Sequence, residues 1–257
     1  MKLHAAAIST IFVPILFCYS LNISAQQTDS SSAQVSRSLR IQSLPARKNY
    51  LSARSVIIPG TLITYGFASL KSGALQKINK NICEEVTEHA SGFKTRVDDY
   101  LKYAPAASVY VLSAIGIKGR HKILDRTIIL AMSSVLSAQV VTALKHGTHQ
   151  LRPDGSTYNS FPSGHTTTAF IGAEMMNQEY GWRSRWYSVA GYSMAAGTAA
   201  LRIMNNRHWL SDVIAGAGIG MLTTKCSYWL YSKLENRKCN KEKIFRRWEI
   251  DRISPED

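Results

Sequence analysis

The sequence predicts an all-α fold, on three observations. Apolar residues recur at helical spacing in six segments, at about 55–71, 101–117, 124–144, 165–178, 186–203 and 209–232. Alternation of apolar and polar residues is nowhere sustained, so no strand is expected. Ala, Leu, Ile and Met supply much of the apolar content of these segments. The expected architecture is a six-helix bundle, embedded in a membrane or associated with one.

The N-terminus comes first. Lys2 and His4 precede an apolar run from Ala5 to Leu21, and Ile23-Ser24-Ala25 offers a small-residue cleavage site. Residues 1–25 thus read as a secretory signal peptide, or as an N-terminal anchor if uncleaved. Residues 26–54 are polar and then basic, and read as a tether. The helical segments occupy 55–232. A basic tail, 233–257, closes the chain. Of the four cysteines, Cys18 falls in the signal. Cys83, Cys226 and Cys239 have no CxxC spacing, which disfavours a zinc site and leaves one long-range disulfide open.

Charge and hydropathy narrow the function. The formal net charge is +14, which suits an anionic partner such as phosphate groups or acidic lipid headgroups. No RRM, zinc-finger or helix-turn-helix signature supports nucleic acid. The mean hydropathy of −0.11 is low for a polytopic membrane protein. A span needs about 20 apolar residues, and Thr127–Leu144 comes closest. Glu174 and Lys225 interrupt two other segments.

Basic turns at Lys118–Lys122 and at Arg183 and Arg185, together with the tail, fall on one side if the helices span. They are also ordinary solvated turns if they do not. A cleaved signal starts the mature chain outside, and six full spans would then put the chemistry inside. Incomplete crossing by 55–71, which contains Pro59 and Gly60, would remove that conflict. Trp182, Trp186 and Tyr187 flank a turn, at a membrane interface or at the rim of a soluble bundle.

Three short stretches carry the chemistry. In Lys145-His146-Gly147-Thr148-His149-Gln150-Leu151-Arg152-Pro153, a Lys point charge and an Arg fork can converge on one anion. Alone, this is equally a helix ending on basic residues. In Phe161-Pro162-Ser163-Gly164-His165, a capped helix start presents free N–H groups to phosphate oxygens. Gly164 admits the anion, and His165 can carry a proton. In the third, Arg202 precedes His208 and Asp212, whose i,i+4 spacing puts both on one helix face. A carboxylate on one ring nitrogen frees the other as a nucleophile. His146 and His149 read as loop residues, and His89 and His121 as surface residues.

Together these stretches resemble the type 2 phosphatidic acid phosphatase family in its pattern KxxxxxxRP, PSGH, RxxxxxHxxxD. The superfamily also includes bacterial non-specific acid phosphatases and vanadium haloperoxidases. The likeness is firm across about 140–220. One departure is Leu201, where the family usually has Ser before the Arg. The resemblance implies that His208 attacks phosphorus to form a phosphohistidine and that Asp212 orients it. His165 protonates the leaving oxygen and then activates water. Lys145, Arg152, Ser163, Gly164 and Arg202 hold the phosphate oxygens. These cations do the work of a metal, so no metal and no other cofactor is expected.

The implied function is a phosphatase acting on a membrane lipid, such as lipid A, phosphatidate, phosphatidylglycerol phosphate or undecaprenyl pyrophosphate. The run Asn205–Asp212 resembles lipid A phosphatase relatives. The expected setting is a bacterial inner membrane, with the site facing the periplasm. A soluble periplasmic acid phosphatase is the alternative. A vanadate-dependent haloperoxidase and a non-enzymatic phospholipid binder are further readings.

Overall fold

The computed structural model describes residues 50–89 and 93–253. The signal-peptide reading, the tether reading up to residue 49 and the last four tail residues lie outside them. Among the described residues eight helices form and no strand: α1 (Ala53–Lys71), α2 (Gly73–His89), α3 (Val97–Leu101), α4 (Ala104–Ala114), α5 (Ile123–Thr148), α6 (Gly164–Tyr180), α7 (Arg185–Met204) and α8 (Leu210–Ile253).

Six of these match the expected segments. The others differ for physical reasons. The segment expected at 101–117 is divided: α3 ends at Leu101, and Pro105 opens α4 at a position where its missing N–H costs nothing. Helix α2 is rich in Lys, Asn and Glu, and its few apolar residues are too scattered to form a run. Helix α8 absorbs most of the expected tail. No Gly or Pro interrupts residues 221–253, and the helix stops two residues before Pro255.

Helix α6 is the centre of the bundle. It packs against α4, α5, α7 and α8, while α1 covers the other side of α8. Twelve α6 residues are buried, from Thr166 to Tyr180. The α6–α8 contact is backbone-close because Gly216 and Gly220 face α6. A Cβ on Gly216 would lie 2.7 Å from the Ser163 carbonyl oxygen, and one on Gly220 would lie 2.5 Å from that of Thr167. Two glycines one helical turn apart therefore set the spacing of the helices that carry Ser163 and Asp212.

The core polar groups are paired. Glu174 of α6 is fully buried and meets the Lys225 ammonium and the Tyr192 hydroxyl. Glu179 is also fully buried. It forms an ion pair with the Arg126 guanidinium at 3.1 Å, contacts the His121 ring at 2.7 Å and accepts from the Tyr228 hydroxyl at 2.8 Å. His121 is thus part of a buried network and not the surface residue expected from sequence, because its ring and its backbone N–H both bond Glu179 of α6.

Helix α5 is different. It is long and apolar enough to cross a membrane, by length and composition, and is the one such helix among the described residues. Its 26 residues extend roughly 39 Å. Only five of them are buried. Ile123, Leu124, Ile128, Val135 and Leu136 are exposed, as are Trp182 and Trp186 near the same end of the bundle. Cys226 is a free thiol.

Candidate active site

The three sequence stretches meet at the end of the bundle where α5 finishes, α6 starts and α7 turns into α8. Helix α5 ends with His149 in the left-handed region, at φ 44°. That places Lys145 and His146 in the last turn of the helix, so His146 is helical and not in a loop. The Lys145 ammonium donates to the Asn159 carbonyl. Arg152 follows in a loop closed by Arg152 N–H to Thr157 O at 3.0 Å and by Ser160 N–H to Gln150 O at 2.9 Å.

Ser163 caps α6 and is fully buried. Its oxygen accepts from the Thr166 hydroxyl at 3.0 Å and, more weakly, from the Thr166 N–H at 3.5 Å. Its own proton is left to donate. The Ser163 N–H donates to the Asp212 carbonyl at 3.0 Å, which ties the α6 start to the α8 start. Gly164 opens the helix, and its amide has no carbonyl four residues back within the helix to bond.

Asp212 and His208 are less simply related than their spacing suggests. His208 precedes α8 and does not share a helix with Asp212. Asp212 sits at the third position of α8, and its Oδ2 accepts the Trp209 N–H at 2.9 Å and the Ser160 hydroxyl. That is one arm of a capping box, with the carboxylate reaching back to the cap residue. His208 Nδ1 lies 3.6 Å from the same oxygen. Both residues are buried, at 2% and 0% exposure. Burial pushes the His208 imidazole down to about 4, against the pull of Asp212 and with help from Arg202 and Lys145. The ring is therefore neutral and basic at one nitrogen at physiological pH.

Four buried polar atoms have no partner among the described residues: Arg152 Nε, Arg202 Nε, His208 Nδ1 and Asp212 Oδ1. All four belong to residues singled out in the sequence. Buried polar atoms are ordinarily paired, which sets these four residues apart from the paired core groups.

His165 stands in the first turn of α6, and its Nε2 contacts Asp99 Oδ1 at 2.8 Å and Lys102 Nζ at 3.2 Å. Arg202 ends α7 and pairs with Asp98 at 2.6 Å. Asn205 donates to Asp98 Oδ1 at 3.1 Å. Sequence reasoning missed Asp98, Asp99, Lys102, Ser160 and Asn205. A signal existed for the first three: an acidic pair set among Lys94, Arg96 and Lys102. Asp98, Asp99 and His165 bring their ligand-type atoms within 4.8 Å of one another. Their carboxylates are committed to Arg202, Asn205 and His165.

A cavity of about 790 Å³ opens at this end, and Arg152, His165 and Arg202 line it. Gly164 and His165 also line a cleft of about 300 Å³ beside α5, with Ala138 and Val141.

Residues 126–236 match the model of the PAP2 superfamily. These residues form a PAP2 segment of the chain. This PAP2 segment holds all three stretches. Over 184 residues the chain is 38% identical to the lipid A 1-phosphatase of Porphyromonas gingivalis, covering 71% of this chain and 39% of that protein. The chain thus spans about two fifths of that relative's length. Among solved structures, it is similar to a transmembrane PAP2-type phosphatidylglycerolphosphate phosphatase from Bacillus subtilis, at TM-score 0.49 and 18% identity over 70% of this chain and 96% of that one. It is also similar to LpxE from Aquifex aeolicus, at TM-score 0.43 and 21% identity over 56% and 93%.

Proposed function

We propose that this protein is a phosphatase that hydrolyses a phosphate ester or pyrophosphate of a membrane lipid through a phosphohistidine. One observation carries the reading: Arg152 and Arg202 line one cavity with His165, and each keeps a buried guanidinium Nε without a partner among the described residues. A tetrahedral dianion satisfies those two guanidinium donors, while His208 Nδ1 lies on the side of Asp212.

In this reading the phosphoryl oxygens take hydrogen bonds from Lys145, Arg152, Arg202, the Ser163 hydroxyl and the Gly164 N–H. The neutral His208 ring, held by Asp212 on its Nδ1 side, attacks phosphorus through Nε2. The P–O bond to the leaving group breaks, and His165 supplies the proton that the departing oxygen needs. Water then attacks the phosphohistidine, gives its proton to His165 and releases phosphate. Fixed cations bear the transition-state charge, so the scheme requires no metal.

The lipid substrate class rests on two supports. One is the 38% identity to a lipid A 1-phosphatase, which makes lipid A the first candidate. The other is the exposed apolar flank of α5, long enough to lie across the roughly 30 Å hydrocarbon layer. Both favour an integral protein of a bacterial inner membrane over a soluble acid phosphatase, and the proposal adds that its catalytic end faces the periplasm. Residues 1–25 then act as a signal or anchor and 26–54 as a tether.

Phosphate release from lipid A, phosphatidate, undecaprenyl pyrophosphate and a soluble phosphomonoester tests the reading. Turnover on at least one lipid that vanishes in His208→Ala is expected. Turnover confined to the soluble ester would overturn the lipid assignment, and an unchanged rate in His208→Ala would overturn the mechanism. Release of the protein by a carbonate wash would overturn its placement in the membrane.

A further inference from the structure

We propose that the mouth of the cavity holds a second anion subsite, formed by Lys94, Arg96 and Arg207, which selects lipid headgroups bearing two phosphoryl groups. This rests on the phosphatase reading above and adds to it the class of headgroup.

The scissile phosphate is fully served by the deeper groups. Lys145, Arg152, Arg202 and the α6 start supply three positive charges and two further donors to one dianion. Yet the same cavity is also lined by Lys94, Arg96 and Arg207, none of which belongs to the three stretches. Its volume, about 790 Å³, falls in the range of roughly 300–1,000 Å³ that suits a whole small-molecule ligand. One phosphate group leaves most of that space unfilled.

These outer cations are held by pinned backbone. Asn205 clamps Thr95 from both sides: the Thr95 N–H donates to Asn205 Oδ1 at 3.0 Å, and Asn205 Nδ2 donates to the Thr95 carbonyl at 3.0 Å. Three residues on, Asp98 is buried against Arg202 and Asn205. Lys94 and Arg96 flank the clamped Thr95. The opposite wall is equally fixed. Asn206 adopts φ 55°, and the Arg207 N–H donates to the Arg202 carbonyl at 3.1 Å. The chain thus holds Lys94, Arg96 and Arg207 at one opening.

Of the three cations, Arg207 alone has a carboxylate partner among the described residues. Asp154 is engaged by Arg207 at 3.0 Å and by Ser156. Asp99 is engaged by His165 at 2.8 Å. Among the described residues neither Lys94 nor Arg96 has a carboxylate partner. A second phosphoryl group, either the distal half of a diphosphate or a separate monoester on the same headgroup, supplies the missing countercharge.

Two readouts on the full chain in detergent test this. The first is calorimetric binding of inorganic pyrophosphate and of orthophosphate. The second is steady-state hydrolysis of phosphatidate, a polyprenyl diphosphate and a glycolipid with one phosphate on each of two sugars. In Lys94→Ala/Arg96→Ala, KM for the two-phosphate lipids and Kd for pyrophosphate should rise about tenfold. Values for phosphatidate and orthophosphate should move less than about twofold, with kcat unchanged. A KM effect limited to the diphosphate places the second group next to the first, and one limited to the glycolipid places it across the headgroup.

Lys118→Ala/Lys122→Ala removes the same charge at the far end of the bundle and should change nothing. Equal weakening for one-phosphate and two-phosphate ligands would reveal general attraction and overturn the subsite. So would pyrophosphate binding no tighter than orthophosphate in the unmodified protein. His208→Ala separates this idea from the mechanism: it should lose turnover yet keep the pyrophosphate preference. Turnover surviving in it would sink the phosphohistidine and leave the binding result standing.

Discussion

The two ends of the bundle both bury charge, and they treat it in opposite ways. At the α5 start, Glu179 has three partners, Arg126 is bonded further to Tyr180, Ser113 and the His121 carbonyl, and none of these side-chain atoms is left over. At the α5 end, four buried atoms of Arg152, Arg202, His208 and Asp212 have no partner. The far end is therefore a closed network whose contribution is to the fold. The near end leaves the Arg152 and Arg202 Nε donors without partners among the described residues, and in the proposed function a phosphate takes their hydrogen bonds.

Breaking each end should have a distinct signature. His208→Ala should abolish phosphate release, by roughly 10⁴-fold or more, as expected for removal of a nucleophile. Asp212→Asn should fall nearly as far, on the order of 10³–10⁴-fold in kcat, because the imidazole loses its orienting charge. At the far end, Glu179→Ala strands the Arg126 guanidinium and should cost about 3–5 kcal/mol of stability. A large fall in melting temperature with near-normal kcat in the surviving folded fraction is the expected result. A melting shift in His208→Ala as large as that of Glu179→Ala would erase the distinction between the ends.

Smaller effects sharpen it. Asp99 is held below the usual carboxylate range, chiefly by its hydrogen bond to His165. Asp99→Asn should lower kcat about tenfold and narrow the alkaline side of the pH profile, since His165 loses the charge that favours its proton. The acid side is set elsewhere. His208 stays neutral in the folded protein down to about 4, whereas an exposed histidine takes a proton near 6.5. Phosphate release should therefore persist until pH approaches about 4. Between these values the unfolded chain binds more protons than the folded one. The stability linked to His208 is complete above about 6.5 and drains away as pH falls toward 4. His208→Asn should flatten that slope in a melting series against pH, and an unchanged slope would assign it to another group.

Much of the fold was legible because six helices carry runs of apolar residues, and α5 carries a run long enough to cross a membrane. Helix α2 was not, since its polar sequence hides its tertiary use. Asn79 of α2 is buried and bonds both the N–H and the hydroxyl of Ser211, securing the start of α8 beside Asp212. The site was legible where residues cluster along the chain. Lys145, Arg152, Ser163, Gly164, His165, Arg202, His208 and Asp212 fall within 68 positions. Asp98, Asp99 and Lys102 lie far upstream, and nothing local links them to Arg202 and His165.

The three stretches by themselves determined which chemistry to expect of this chain, because their side-chain types and short spacings match the PAP2 pattern without reference to the rest of the fold. Only the tertiary structure decided how that chemistry is held. It set His208 and Asp212 across a helix start in place of a shared helix face. It placed Asp98 and Asp99 against Arg202 and His165. It also gave the far end its partners and left the near end without them. Such pairings join residues up to about a hundred positions apart, as Asp98 and Arg202 are, and they form only when packed helices bring the residues into contact.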